Sequence, residues 1–270
     1  MKAQSPTITI MMKAARKAAR HILRDFGELE NLQVSRKGVA DFVSSTDKKA
    51  EEIICAELQA AKPDYSFLCE ESGAIKGKDT DHCWIIDPLD GTTNFIHGMP
   101  YFSISIALEK QAYVGKREVV AGIVYAPVLQ ETYWAEKGAG AWVERGNGTG
   151  ARLRVAGRRK LEDALVAAGC GHHGGASQKA VLAALSGNVA GIRAMGSTAL
   201  ELAYVASGKL DMYVQHADKP WDVAAGMLLV REAGGYATTL AGKDNVFETG
   251  NILAANDVLH RFAQKLLSTG

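Results

Sequence analysis

"WIIDPLDGTTNF" (Trp84–Phe95) sets two aspartates, Asp87 and Asp90, three residues apart at the end of an apolar run. The run reads as a buried strand bounded by a turn. Two carboxylates at its mouth repel each other. At about 4 Å and an effective dielectric of about 20, that repulsion is on the order of 4 kcal/mol. A divalent cation between them reverses the sign. With oxygen ligands and no neighbouring Cys or His, the pattern favours Mg²⁺ or a similar hard ion over Zn²⁺. Gly91 and Thr92 follow at once. Glycine lets backbone approach a ligand closely. If a helix starts here, its free N–H groups face the metal side and can hold a phosphate. The threonine hydroxyl can also orient a water. The D-x-x-D-G-T spacing excludes an EF-hand loop, which needs D-x-D-x-D-G. It also departs from the D-x-D-x-T of aspartyl-phosphate phosphatases, so direct attack by a metal-activated water is the better reading.

Other acids stand at the ends of elements. Glu70-Glu71 closes the strand "YSFLCEE", Asp47 opens a helix after Thr46, and Asp222 opens one after Pro220-Trp221. Taken singly, Asp47 and Asp222 read as helix caps worth about 0.3–1 kcal/mol. Trp221 reads as packing.

Helices and strands alternate around these points. Helices are expected over 7–26, from Thr46 as cap to Pro63, and over "SQKAVLAALSG", "TALELAYVASG", "WDVAAGMLLVREAGG" and "DVLHRFAQKLL". "FSISIALE", "REVVAGIVYAP" and "ETYWAE" read as antiparallel strands; "ALVAAG", "KLDMYVQ" and "NILAAN" are further strands. The glycine-rich "ERGNGTGAR" near 150 reads as a hairpin tip or subdomain junction. Layered α/β architecture with mixed sheets follows. The expectation is one domain over 1–270, subdivided if at all into 1–150 and 151–270.

The 270 residues are 47% apolar and 23% charged, as in ordinary globular chains. Lys+Arg is 31 against 30 Asp+Glu, which leaves no electrostatic footprint for nucleic acid or an anionic membrane. No run reaches the roughly 20 apolar residues of a membrane span. Cys55, Cys69, Cys83 and Cys170 are scattered without a C-x-x-C pair, so reduced thiols and a cytoplasmic location are expected. Six Lys/Arg and no acid in the first 24 residues carry a trace of a transit peptide. Met12, Ala15, Ala19, Ile22, Leu23 and Phe26 at helical spacing favour an amphipathic first helix instead.

"DPLDGTTNF" (87–95), "WDVAAG" (221–226) and "CEES" (69–72) together resemble the inositol monophosphatase family of Mg²⁺-dependent, Li⁺-sensitive phosphatases. The resemblance runs from "DFVSSTDKKAE" to "PWDVAAGMLLVREAGG". It implies an αβαβα sandwich, a homodimer and hydrolysis of a small polyol or sugar phosphate. It implies that Glu70, Asp87 and the Leu89 carbonyl bind one Mg²⁺, and that Asp87, Asp90 and Asp222 bind a second. Glu70 and Thr92 then flank the attacking water, with Asp47 close by and able to reach a third ion through water. Gly196-Ser197-Thr198 corresponds to the substrate loop, whose third residue is usually Ala. Asp90 and Asp222 also face the substrate. Cys69 stands where the family often has Gly, and Gln215 where inositol-specific members place a Glu.

Fructose 1,6-bisphosphate, histidinol phosphate and 3′-phosphoadenosine 5′-phosphate are alternative substrates of the same chemistry. Contact with RNA polymerase, implicated for some bacterial relatives, is the alternative role. In "GCGHHGG" (169–175), His172 and His173 are neighbours on one segment and face opposite ways if it is extended, so they read as a substrate-facing loop rather than one metal site. Arg36-Lys37-Gly38 reads as a basic loop or turn near the site.

Overall fold

The computed structural model describes residues 4–29, 34–38, 41–113, 115–169 and 175–268. Cys170, His172 and His173 lie outside the described residues. The chain opens with α1 (Pro6–Phe26), the strands β1 (Val34–Gly38) and β2 (Asp41–Ser44), and α2 (Ser45–Ala61). Then come β3 (Ser66–Cys69), β4 (Gly73–Ile75), β5 (His82–Asp90) and the short α3 (Thr92–Ile96). A meander follows: β6 (Ser103–Tyr113), β7 (Lys116–Ala126), β8 (Glu131–Glu136), β9 (Gly140–Arg145) and β10 (Gly150–Arg152). The remainder is β11 (Leu165–Ala168), α4 (Gly175–Leu185), β12 (Gly191–Arg193), α5 (Thr198–Ala206), β13 (Met212–Gln215), α6 (Pro220–Glu232), β14 (Tyr236–Thr238), α7 (Val246–Thr249), β15 (Ile252–Ala255) and α8 (Asp257–Ser268).

The larger sheet runs β10-β9-β8-β7-β6-β5-β3-β4 and the smaller β12-β11-β13-β15-β14. Three apolar cores separate five layers. Ile8, Met11, Met12 and Ile22 of α1 join Ile54 and Leu58 of α2 against Trp84, Ile86 and Ile106 of the larger sheet. Each fully buried side chain of this kind stabilises by about 1.5–3 kcal/mol. On the other face, Ile85, Ala107 and Val124 meet α5 and α6, which cover the smaller sheet with Leu200, Leu202 and Leu229. Val181 of α4 and Leu259 of α8 close the outer face of that sheet. This is the expected αβαβα sandwich.

Local expectations needed three corrections. Ser44, not Thr46, caps α2: its Oγ accepts from Thr46 N at 3.2 Å. The Thr46 hydroxyl instead donates to Asp25 Oδ2 at 2.7 Å, tying α2 to the end of α1. Arg36-Lys37-Gly38 is not a loop but part of β1, paired antiparallel with β2. The strands β4, β9, β12 and β14 were not anticipated; each is short or interrupted by glycine or charge, so its periodicity is weak. The glycine-rich stretch near 150 is the tip of the β9–β10 hairpin.

Gly226 sets how closely the two central helices approach. A Cβ there would stand 2.5 Å from Leu202 Cβ. Gly226→Ala gains about 1 kcal/mol of helix propensity but overpacks the α5–α6 contact, which costs about 1–3 kcal/mol. The clash wins, and the melting temperature is expected to fall by several degrees in calorimetry. An unchanged or higher value would mean that the helices do not meet there.

Candidate active site

Asp87 and Asp90 sit at the end of β5, three residues apart. In a regular strand an odd spacing sends side chains to opposite faces. Here Asp87 pairs with Ser105 and Asp90 with Ser103, so β5 carries one residue more than β6 between those pairs. That is a bulge, and Pro88, which has no N–H to contribute to a ladder, falls inside it. The extra residue restores parity. Both carboxylates turn to the face of the larger sheet that packs on α6, where Ser105 Oγ donates to the carbonyl of Trp221 at 3.0 Å. Asp87 is 2% and Asp90 8% exposed.

Asp222 reaches this point from the first turn of α6. Its Oδ2 accepts from Lys219 N at 2.7 Å, so it is also the cap expected of a lone acid. Glu70 arrives from the residue after β3, whose parallel pairing with β5 carries both strands to the same edge. Glu51 of α2 steadies this strand end by accepting the N–H groups of Glu71 at 2.8 Å and Ser72 at 2.9 Å.

The four acids sense one another. Burial pushes Asp87 well above the usual carboxylate range, and the charges of Glu70, Asp90 and Asp222 push it further. Hydrogen bonding with Glu70 adds to the rise. Asp222 is likewise raised well above its ordinary value, by desolvation first and then by Asp218, Asp90 and Glu70. Asp90 is raised by burial to about 6. It would climb higher without its donors: Ser197 Oγ at 2.5 Å, Ala199 N at 2.8 Å, Thr198 N at 3.1 Å and Ser103 Oγ at 3.3 Å. Ser197 and Thr198, expected to face substrate, thus spend a hydroxyl and an N–H on Asp90, and Ser197 is fully buried.

Asp47, 1% exposed, lies one hydrogen bond away. Thr92 Oγ1 has both Asp47 Oδ1 at 2.9 Å and the Leu89 carbonyl at 3.1 Å as acceptors. Asp47 is raised by desolvation, against the donors Ser44 and Thr92. Gly91 precedes α3 in the left-handed region at φ 101°, and a Cβ there would press on Gly196 O at 3.1 Å and Tyr101 O at 3.2 Å. Gly91 and Gly196 therefore touch, bringing the turn after β5 against the loop before α5. Asn94 spans the same gap, donating to Tyr101 O and Met195 O, each at 2.7 Å.

Sequence reasoning missed two buried acids beside this group. Asp218 is raised to about 7 by burial, with Asp90 adding to the rise. Glu201 is raised to about 8, again chiefly by burial, while accepting from Met195 N at 2.7 Å. A charge inside the apolar run "TALELAYVA" was a readable signal for Glu201. "QHADKP" offers none for Asp218. Gln215 joins the group only through Asp218.

Among the described residues no three acids, histidines or cysteines stand in a ready-made metal cage. The donor set is nonetheless all oxygen and mutually repulsive. A hard cation that keeps several of its own waters suits such a set.

A sequence model of the inositol monophosphatase family matches residues 3–269. The chain belongs to the inositol monophosphatase family. Inositol-1-monophosphatase of Mesorhizobium japonicum is 47% identical, over 96% of this chain and 95% of its own. Nus factor SuhB of Vibrio cholerae is 40% identical, over 93% and 91%. The crystal structure of extragenic suppressor protein suhB from Bartonella henselae superposes with a TM-score of 0.91 at 45% identity, covering 98% of this chain and all of that one. An inositol monophosphatase structure from Thermotoga maritima gives 0.85 at 33%, covering 98% of each. The inositol monophosphatases are metal-dependent, and this chain is a phosphomonoesterase of that family. No helix among the described residues is long and apolar enough to cross a membrane.

A cavity of about 420 Å³ bounded by Arg152, Arg154 and Glu232 lies at the far end of α6 from Asp222, about 15 Å along the helix. The acids are therefore not marked by this cavity but by their own convergence. They make stability depend on pH. An acid whose folded pKa is raised keeps a proton that the unfolded chain has released. Stability is then lost as pH rises from the ordinary carboxylate value to the folded one. For Asp90, Asp218 and Glu201 that window runs from about 4 to about 8. In chelator, the melting temperature is expected to be several degrees lower at pH 8 than at pH 5. A flat or rising profile would remove the buried acids.

Proposed function

We propose that this site hydrolyses the monoester of a small polyol phosphate, inositol monophosphate in the first instance, with Mg²⁺ bound. One observation carries the reading: Asp87 and Asp90 on the bulge of β5, Glu70 after β3 and Asp222 in the first turn of α6 come together, and the charges of Glu70, Asp90 and Asp222 all bear on the buried Asp87. The names of the relatives from Mesorhizobium and Rhizobium meliloti support inositol phosphate as substrate.

Glu70, Asp87 and the Leu89 carbonyl would hold one ion, and Asp87, Asp90 and Asp222 a second. Bound Mg²⁺ supplies charge neutralisation for the phosphoryl oxygens and makes the attacking water more acidic. The protein does the orienting. When the Thr92 hydroxyl donates to Asp47, its lone pairs are left to accept an O–H from water, and Glu70 and Asp47 stand ready for the proton released. Gly91 and Thr92 would offer N–H groups to the phosphate, with Gly196, Ser197, Thr198 and Gln215 on the substrate side. Ser197 would act mainly by fixing Asp90. Li⁺ would inhibit, and the protein would work as a homodimer. A second reading, regulation through RNA polymerase, is supported by relatives named Nus factor SuhB, 38–40% identical.

Phosphate release from inositol 1-phosphate, fructose 1,6-bisphosphate, histidinol phosphate and 3′-phosphoadenosine 5′-phosphate, with Mg²⁺ and with or without Li⁺, decides between substrates. Turnover on none of them would favour the regulatory reading. Asp90→Asn and Asp222→Asn are expected to lose at least about 100-fold in kcat while remaining folded by circular dichroism. Full activity in both would move the chemistry elsewhere.

Asp87→Asn isolates the electrostatics. It mimics the protonated acid and removes a repelled charge, so in chelator at pH 8 it is expected to melt higher than the native protein. It should also gain less from added Mg²⁺, because a ligand is gone. A lower melting temperature in chelator would show that Asp87 is stabilised as an anion.

A further inference from the structure

Asp218 lies outside the set of acids just assigned, yet it is buried next to them. It is 6% exposed, and its charge raises both Asp222 and Glu201. Its partners are unusually directional. Tyr213 Oη donates to Oδ2 at 3.1 Å and Gln215 Nε2 donates to Oδ1 at 2.6 Å. With Asp218 ionised, both groups can only donate to it. The Tyr213 proton is thereby committed, and its oxygen accepts from Thr198 Oγ1 at 2.9 Å. Thr198 N in turn donates to Asp90. A continuous hydrogen-bonded chain therefore links Asp90 to Gln215 through Thr198, Tyr213 and Asp218.

Gln215 is the one half-exposed end of that chain. Its Nε2 is occupied by Asp218, which settles which way round the carboxamide sits. Its Oε1 lies against Gly169, where an added Cβ would stand 1.7 Å away, so no larger residue fits without displacing the amide. Gln178 braces the same place: its Nε2 donates to Gly169 O at 2.7 Å, and its Oε1 accepts from His216 N at 3.0 Å. A surface glutamine rarely has its orientation fixed from both sides. Such fixing serves recognition, because a site built around a committed polar group discriminates against partners that cannot match it.

We propose that Asp218 is a specificity-positioning residue of this site: by holding Gln215 Nε2 and Tyr213 Oη it sets the Gln215 carboxamide to read a hydroxyl of the substrate's polyol. This rests on the phosphatase reading above. Asp218 itself does not touch substrate. In Asp218→Asn only one acceptor oxygen is left for the two donors, so the hold on the Gln215 carboxamide is weakened.

The test compares inositol 1-phosphate with phenyl phosphate, which has no hydroxyl to be read. In Asp218→Asn, kcat/KM for inositol 1-phosphate relative to phenyl phosphate is expected to fall about tenfold, carried by KM. Gln215→Ala should lower the same ratio by a similar factor. Asp218→Asn added to Gln215→Ala should change it less than twofold, because Asp218 acts through Gln215. Gly169→Ala, which displaces the amide without altering either acid, should lower it too and serves if Asp218→Asn does not fold. A native protein that hydrolyses neither ester defeats the phosphatase reading itself. A native protein that hydrolyses both, with the ratio unchanged in Asp218→Asn or in Gly169→Ala, overturns the role of Asp218. Additive losses in the double variant overturn it as well.

Discussion

Mutual repulsion among buried carboxylates is the constraint around which this structure is arranged. Left to themselves, four acids at one spot would separate or take up protons. The fold permits neither fully. A one-residue bulge turns Asp87 and Asp90 to the same face of the larger sheet. Parallel pairing of β3 with β5 delivers Glu70, and the first turn of α6 delivers Asp222. The consequence is a set of raised pKa values, which is the electrostatic state a hard cation relieves.

The apolar layers supply the force that holds this arrangement. The central core, with Val223, Leu229, Leu200 and Leu202 packed between the two sheets, is what sets the distance from α6 to the end of β5. Gly226 lets α5 and α6 approach closely enough that the loop before α5 donates to Asp90 while α6 brings Asp222. Hydrophobic burial and like-charge repulsion therefore act on the same helices in opposite senses. Burial wins because it is spread over many side chains, while the repulsion is confined to a few and is reduced by protonation.

Much of this was legible in the sequence, and the reasons differ by element. Long amphipathic segments such as α1 announce themselves through helical spacing, and the meander through apolar runs broken by Gly and Pro. "DPLDGTT" announced a charged site because acids, glycine and hydroxyls coincide after a strand. The mechanism by which Asp87 and Asp90 share a face was not legible. It depends on a register shift against β6, and register belongs to a pair of strands rather than to one. The cap of α2 was misplaced by two residues because Ser44, Ser45 and Thr46 are chemically alike, and only tertiary contact with Asp25 assigns the Thr46 hydroxyl. Ser197 was read as facing substrate, and its burial under Asp90 depends on how α5 docks. Asp218 was invisible because nothing local distinguishes it from a loop acid.

The distribution of the site over distant elements has a consequence for how it behaves as a unit. No single segment contains two complete sides of it: Glu70 and Asp90 belong to the larger sheet, Asp222 to the middle helical layer, and Asp47 to the outer one. A cation held among them would bridge layers that also meet through apolar packing and through the Thr92–Asp47 and Ser105–Trp221 hydrogen bonds. Its binding free energy is then added to the cohesion of the whole sandwich rather than to one loop. The same connectivity runs outward through Thr198, Tyr213 and Asp218, so Asp90 and the Gln215 carboxamide at the rim are held by one set of hydrogen bonds.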